Sequence, residues 1–310
     1  MTAKRVNASC VPGQKLRESD RAGLVAVLGG AVRFDEPMAA KTSMRVGGPA
    51  AAFAIVKTVR ELAAVLSLCA QQRIAWTVLG LGSNVLVRDE GFPGLVIRLA
   101  GDFVKIRISG TLLHAGGAAP MVAVCREAAK AGLAGAEALV GIPGTVGGAV
   151  RMNAGTNVEI GSLLRSVEVI VAGQDAQTMT LPDFAYRRSS LDRAAVVCSA
   201  ELALRRGDKS EVQASLRAYI ERRNATQPLE LPNAGSIFRN PPGDFAARLI
   251  ETSGCKGMRV GGAEVSDKHA NFIVNRGGAT CADVLALMVR VRDAVRSRHG
   301  IDLEPEVQVL

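Results

Sequence analysis

"LGLGSNVLVRD", residues 79–89, is the stretch whose reading decides the fold. It comes after the strand-like run "IAWTVLG" (74–80) and opens with Gly80-x-Gly82, as a dinucleotide fingerprint does. Val85 stands where the third glycine belongs, and residues 85–89 are patterned like a strand, not a helix. A Rossmann site rests its pyrophosphate on a helix N-terminus, so this turn does not fit that fold. Backbone N–H groups between two strands can still form an anion nest, with Ser83 and Asn84 as short donors. A hairpin turn with Asn and Gly chosen for positive φ explains the same residues.

A second glycine-rich segment, "GIPGTVGGAVRMNAG" (141–155), holds five glycines and a proline without periodicity. It is too long for one turn and suggests backbone lying against a ligand. Two such loops on either side of a β-rich stretch fit a dinucleotide that straddles two lobes. Without the Rossmann pattern, they point to a flavin-binding fold of another type.

Outward from these loops the pattern is α+β. Helices are expected over 58–74, with Thr58 and Glu61 as a capping box and Leu62, Val65, Leu66 and Cys69 on one face. Others are expected over 120–131, from 210 with Ser210 and Gln213 as a second box, over 245–252, and over 281–298 between Thr280 and Gly300. Strands are expected at 85–89, 94–100, 104–109, "VEVIVAG" (167–173) and "VVCSAELAL" (196–204), with a strand feel to "TSMRVGGPA" (42–50). A hairpin over 257–275 and a terminal strand "IDLEPEVQVL" (301–310) complete the pattern; Glu304 and Glu306 would share one face of that strand. Between them lies "PNAGSIFRNPPGD" (232–244), a loop in which Ser236 is either a turn residue or a proton donor.

Composition narrows the class. The chain has 310 residues, 48% hydrophobic and 22% charged, so two or three soluble domains are expected and no membrane span. Residues 1–30 read as a leader, poorly ordered or with a short helix, and lack the apolar core of a signal peptide. The six cysteines are scattered without CxxC or zinc spacing, so cytosolic thiols are expected and no metal. The net charge of +9 suits nucleic acid or anionic small molecules. The cations are scattered and not interleaved with aromatics, which favours small molecules.

Seven motifs then stand in order: "TSMRVGGPA", "LGLGSNVLVRD", "GIPGTVGGAVRMNAG", "YRRSSL" (186–191), "RRNATQPLELPNAGSIFRNPPG" (222–243), "CKGMRVGGAEVSDKHANFIVN" (255–275) and "LEPEV" (303–307). Together, over about residues 35–310, they closely resemble the UDP-N-acetylenolpyruvoylglucosamine reductase family, cytoplasmic flavoenzymes that make UDP-N-acetylmuramate for peptidoglycan. The resemblance implies a two-lobed FAD-binding module of the vanillyl-alcohol-oxidase type (31–102 and 103–218) and an α+β substrate domain (219–300). The tail 301–310 would carry a terminal Glu back to the site. It also implies a reaction: NADPH reduces FAD and leaves, the enolpyruvyl sugar nucleotide takes its place, hydride adds to C3 and a proton to C2. Negative charge gathers on C2 and its carboxylate, so such a site needs a fixed cation, a second polar group and a proton donor.

Carried over residue by residue, the resemblance makes Arg187 the carboxylate-facing cation, with Arg188 as the rival assignment, Ser236 the proton donor and Glu306 the terminal acid. Tyr186, Arg223, Gln227 and Asn240 fall at substrate-binding positions. Val46, Gly47, Gly80, Gly82, Ser83, Asn84, Gly141, Ile142, Gly147 and Gly148 fall at FAD positions. The run "NAGTNVEI" departs from the family's usual text by one residue and an aromatic. Only Tyr186 and Tyr219 exist and nothing is inserted after the 196–204 strand, so a subtype without the substrate-covering loop is expected. A monomer is expected as well. Two other readings compete: a different flavin oxidoreductase of the superfamily, and a basic nucleic-acid-binding protein.

Overall fold

The computed structural model describes residues 16–174, 177–180 and 182–310. Residues 1–15 of the expected leader, Cys10 among them, lie outside the described residues. The chain begins with α1 (Glu18–Leu28), β1 (Val32–Pro37), β2 (Pro49–Val56), α2 (Val59–Gln72), β3 (Trp76–Val78), β4 (Val85–Leu86) and β5 (Phe92–Leu99). It continues through β6 (Ile106–Ser109), β7 (Leu112–Gly116), α3 (Met121–Lys130), β8 (Leu133–Ala134), α4 (Val146–Met152), β9 (Leu164–Ile170) and β10 (Gln177–Thr180). A short pair, β11 (Phe184–Ala185) and β12 (Arg188–Ser189), precedes β13 (Val196–Ala203), β14 (Arg205–Arg206) and α5 (Lys209–Thr226). The last elements are β15 (Asn233–Ser236), α6 (Ala246–Thr252), β16 (Arg259–Val260), β17 (Ala263–Val265), β18 (Phe272–Asn275), α7 (Cys281–His299) and β19 (Gln308–Val309).

Two compact units emerge, and neither is contiguous. The first runs up to Glu36 and adds Ala50–Gly80 and Pro93–Glu221. It holds a four-stranded sheet, β1-β2-β5-β3, and a five-stranded antiparallel sheet, β10-β9-β13-β7-β6. The apolar face of α2 buries Leu62, Val65, Leu66 and Cys69 in one core, as read from its periodicity. Each fully buried aliphatic side chain there contributes about 1.5–3 kcal/mol. A second core gathers α3, α4 and the five-stranded sheet around Leu113, Val124, Val150 and Leu202.

The second unit comprises Pro37–Pro49, Leu81–Phe92 and Arg222–Leu310. Its antiparallel sheet, β15-β18-β17-β16, packs with α6 and α7 around Ile237, Phe238, Leu249, Val284 and Leu287. Met44, Val46 and Leu86 are buried in the same core. This is why Pro37–Pro49 and Leu81–Phe92, expected within a first flavin lobe, belong to the second unit.

The fold is α+β, as expected, but several local expectations change. Residues 141–155 contain a helix, α4, capped by Thr145, whose Oγ1 accepts from Gly148 N. Two glycines in its first turn hide it from a propensity count. At α5 the cap is Asp208, which accepts from the N–H groups of Ser210 and Glu211 at 2.9 and 3.0 Å, and not Ser210. Thr58 caps α2, but Glu61 reaches Lys57 N, one residue earlier than a capping box requires. Residues 42–48 form no strand; Arg45 and Gly47 take φ values of 58° and 116°. The expected strand at 85–89 shortens to β4, and that at 301–310 to β19. The tail cannot be one strand because it changes partners: Glu306 N donates to Ile237 O, then Gln308 N donates to Asn84 O.

Candidate active site

Ser236 ends β15, directly after a bulge. Asn233 pairs with Val274 and Ser236 with Phe272, so the upper strand carries one residue more than its partner. Gly235 supplies the extra residue at φ 72°, a conformation that glycine adopts without strain. The Asn233 side chain locks the turn: its amide donates to Pro228 O and Leu231 O, and its Oδ1 accepts from Gly235 N at 3.0 Å. On the other side, Asn271 acts as a strand partner for Phe238, accepting from its N–H at 3.0 Å and donating to its carbonyl at 2.8 Å. Ser236 is therefore held from both ends, and the bulge turns its side chain off the regular pleat.

Glu306 arrives by backbone pairing beside that strand. Glu306 N donates to Ile237 O at 2.8 Å, and Arg239 N donates to Glu304 O at 2.9 Å. Asn84 Nδ2 donates to Glu306 O at 3.3 Å. Ser43 joins the third piece: its N–H donates to Gly82 O at 3.0 Å, and its hydroxyl reaches Asn233 O at 2.6 Å. Ser236, Glu306 and the Gly82–Asn84 turn thus form one connected group within the second unit.

Arg187 belongs to the first unit. It sits at the tip of the β11–β12 hairpin, whose paired residues are Phe184↔Ser189 and Ala185↔Arg188. Its backbone is left-handed at φ 56°, which costs a non-glycine residue about 1–3 kcal/mol. Its guanidinium lies 5.0 Å from the centroid of the exposed Tyr186 ring. Arg188 lies in β12 and is exposed.

The glycines carried over as FAD positions divide in two. A Cβ on Gly47 would stand 2.6 Å from Val87 Cβ, on Gly80 2.8 Å from Thr145 Oγ1, and on Gly82 2.5 Å from Lys41 O. Those glycines are required by the chain's own packing. Gly141 and Gly148 are not: a Cβ would meet nothing nearer than 3.8 and 3.7 Å, and neither has left-handed backbone. Here the missing side chains leave a cradle at the first turn of α4 and beside Ile142, as close approach of a flat cofactor requires. The residues present fit FAD. As read from sequence, Gly80-x-Gly82 leads into β4 and not a helix.

Arg223 and Gln227 meet near the end of α5, where Arg223 Nε donates to Gln227 Oε1 at 3.2 Å. Burial lowers the pKa of the Arg223 guanidinium. Asn240 Oδ1 accepts from Ala246 N at 3.0 Å and so holds the start of α6. Among the described residues no group of three or more His, Cys, Asp or Glu could hold a metal. No helix among them is long and apolar enough to cross a membrane.

An FAD binding domain model matches residues 50–178, and a UDP-N-acetylenolpyruvoylglucosamine reductase C-terminal domain model matches 227–310. The UDP-N-acetylenolpyruvoylglucosamine reductase 2 of Symbiobacterium thermophilum is 43% identical, over 90% of this chain and 92% of its own. That of Moorella thermoacetica is 45% identical over 90% and 93%. The chain belongs to the UDP-N-acetylenolpyruvoylglucosamine reductase family. The crystal structure of the Thermus caldophilus reductase matches with a TM-score of 0.78 at 39% identity, covering 90% of this chain and 97% of that one. The protein is accordingly a flavoprotein oxidoreductase of this family, with the α+β FAD-binding module expected from its sequence.

Sequence reasoning about the family motifs missed the residues that hold the site. Ser43, Asn233 and Asn271 lie inside quoted motifs, yet their roles depend on partners 190 or 33 residues away, or on the path of one tight turn. The signal available was the repeated Asn, a residue that mimics backbone pairing and stabilises tight turns. Tyr219, which lies on α5, packs against the first unit's core and serves no covering loop.

Proposed function

We propose that the protein reduces UDP-N-acetylglucosamine enolpyruvate to UDP-N-acetylmuramate, with NADPH as reductant, in the cytoplasmic stage of peptidoglycan synthesis, and that it works as a monomer. Residues 31–102 and 103–218 would serve the flavin, 219–300 the sugar nucleotide, and 301–310 the return of Glu306. The observation that carries the mechanism is the backbone pairing of 304–306 with 237–239, which sets Glu306 beside a serine fixed by a bulge. When bound, FAD would supply the hydride needed at C3 of the enol ether. Gly141, Ile142, Gly147 and Gly148, with Val46, Gly47, Gly80, Gly82, Ser83 and Asn84, hold it.

Arg187 presents its planar fork to the substrate carboxylate, where negative charge gathers as the C3–H bond forms. Ser236 gives its proton to C2. A hydroxyl is a poor acid in water, so it acts only as a proton is returned to it, and Glu306 or an ordered water is the source. Tyr186, Arg223, Gln227 and Asn240 orient the sugar nucleotide, the cations Arg223 and Arg187 meeting its phosphate and carboxylate.

The purified protein is expected to be yellow, to bleach with NADPH, and to recover its oxidised spectrum when the enolpyruvyl sugar nucleotide is added. A colourless protein that takes up no FAD overturns the flavin assignment. A flavin that NADPH reduces, but that this substrate does not reoxidise, overturns the substrate.

A further inference from the structure

We infer that Asn153 is a positioning residue for Arg187, and that its side-chain amide sets the hairpin tip from which that cation works. The inference rests on the role given to Arg187 above. The hairpin cannot fix itself. Two residue pairs, closed at the open end by Ser190 N donating to Asp183 O at 2.9 Å, are too few for an independent β-ribbon. An open depression runs along one flank, lined by Asp183, Phe184, Ala185, Arg188, Ser189 and Ser190, while the Phe184 ring packs against the first unit's core. The tip nevertheless keeps Arg187 in a left-handed conformation that the rest of the structure must impose.

The C-terminal end of α4 imposes it. Asn153, almost fully buried, ends the helix at φ 43°. One amide hydrogen goes to Ala185 O at 3.2 Å, immediately before Tyr186 and Arg187. The other goes to Glu159 Oε2 at 2.7 Å, and Oδ1 accepts from Gly161 N at 3.1 Å. Both donors and the acceptor of the amide are thus engaged. The strand after the tip is held by the same turn, Ser189 Oγ donating to Arg151 O at 2.9 Å. Gly161 makes this closure possible: a Cβ there would stand 2.7 Å from both Asn153 Oδ1 and the Phe184 ring.

The short "TNV" stretch also finds its purpose. A bridge between Gly155 and Glu159 folds the chain back so that Glu159 meets the amide. At its other end α4 carries Gly147 and Gly148, so one helix of seven residues, about 10 Å long, links the flavin cradle to the hairpin. Misplacing a reacting group by 1 Å can cost about a hundredfold in rate.

The test uses Asn153→Asp, which keeps the shape but loses both donors, and Asn153→Gly, which keeps the left-handed cap and loses only the amide. Flavin absorbance tracks both half-reactions in each variant, in Arg187→Ala, and in the double variants. Expected are a normal flavin spectrum, near wild-type reduction by NADPH, and reoxidation by the enolpyruvyl sugar nucleotide slowed roughly tenfold to a hundredfold. In the Arg187→Ala background neither Asn153 variant should slow reoxidation further, because Asn153 acts through Arg187. Wild-type reoxidation rates in both variants overturn the inference. So do losses that multiply with that of Arg187→Ala, or that fall equally on NADPH reduction and flavin content. If the wild-type flavin itself is not reoxidised, the function proposed above fails and takes this role with it, a result distinct from variants that match a working wild type.

Discussion

At the scale of single residues, Ser236 is held by the bulge at Gly235 and the Asn233 clamp, both set by the pairing of β15 with β18. Ser236→Ala should leave reduction by NADPH intact and slow reoxidation by about 10²–10⁴-fold, the usual contribution of a positioned proton donor; stopped-flow traces in which both phases match wild type would return Ser236 to a turn residue. Arg187 makes a prediction of opposite signs. Arg187→Gly relieves left-handed backbone and should raise stability by up to about 1 kcal/mol in urea titrations, while slowing reoxidation about a hundredfold or more. The buried thiols give a pH dependence. Burial pushes Cys69, Cys125 and Cys198 up to about 12, against roughly 8.5 in an unfolded chain. A raised folded-state pKa means that the native state keeps protons that the unfolded state gives up. The stability this adds is complete below about pH 8.5 and is lost as pH rises towards 12. Melting temperature should therefore fall more steeply between pH 9 and 12 in the wild type than in a Cys125→Ala/Cys198→Ala variant, and parallel curves would contradict this.

Among the elements, those with an apolar face and local caps were legible, and those completed by distant partners were not. α2 and α7 could be read from periodicity, from Thr58 and Thr280, and from Gly300 at φ 68°. The second cap on α7 could not: Asp89, 192 residues away, accepts from Cys281 N and Ala282 N at 2.8 and 2.9 Å. Replacing Asp89 by Ala should cost about 0.5–2 kcal/mol, measured as a shift in urea midpoint with unchanged slope. A shift below a few tenths would mean that Thr280 and Asp283 satisfy the helix end alone. α4 is hard to read from sequence because two glycines weaken the helical signal in its first turn: Gly147, where a Cβ would stand 3.0 Å from Gly117 O, and Gly148, which lies at the open cradle. The terminal strand is shorter than its alternation predicts for a related reason. Its alternation of residues persists while its backbone changes partner between Glu306 and Gln308.

For the whole molecule, the α+β class and the flavin module were readable, because seven motifs in order constrain a fold more than any periodicity. The compact units were not, since contiguous boundaries cannot describe a chain that passes from one unit to the other at residues 36, 49, 80, 92 and 221. A fragment of residues 222–310, although a family model matches nearly all of it, lacks Met44, Val46 and Leu86 from its core. It should remain unfolded by circular dichroism, whereas the full chain folds; a cooperative melt of the fragment would show that those insertions are dispensable. The same threading has a consequence for how the protein is made. β4 pairs with β19, and Asn84 and Glu306 are 222 positions apart. On a ribosome adding about 5–20 residues per second, Asn84 waits about 10–45 s for Glu306, 222 positions later, to be joined. The second unit therefore closes only once Glu306 and β19 have emerged to meet Asn84 and β4. A nascent chain stalled before Glu306 emerges should hold a finished five-stranded sheet while the Ser236 loop still lacks its backbone partner.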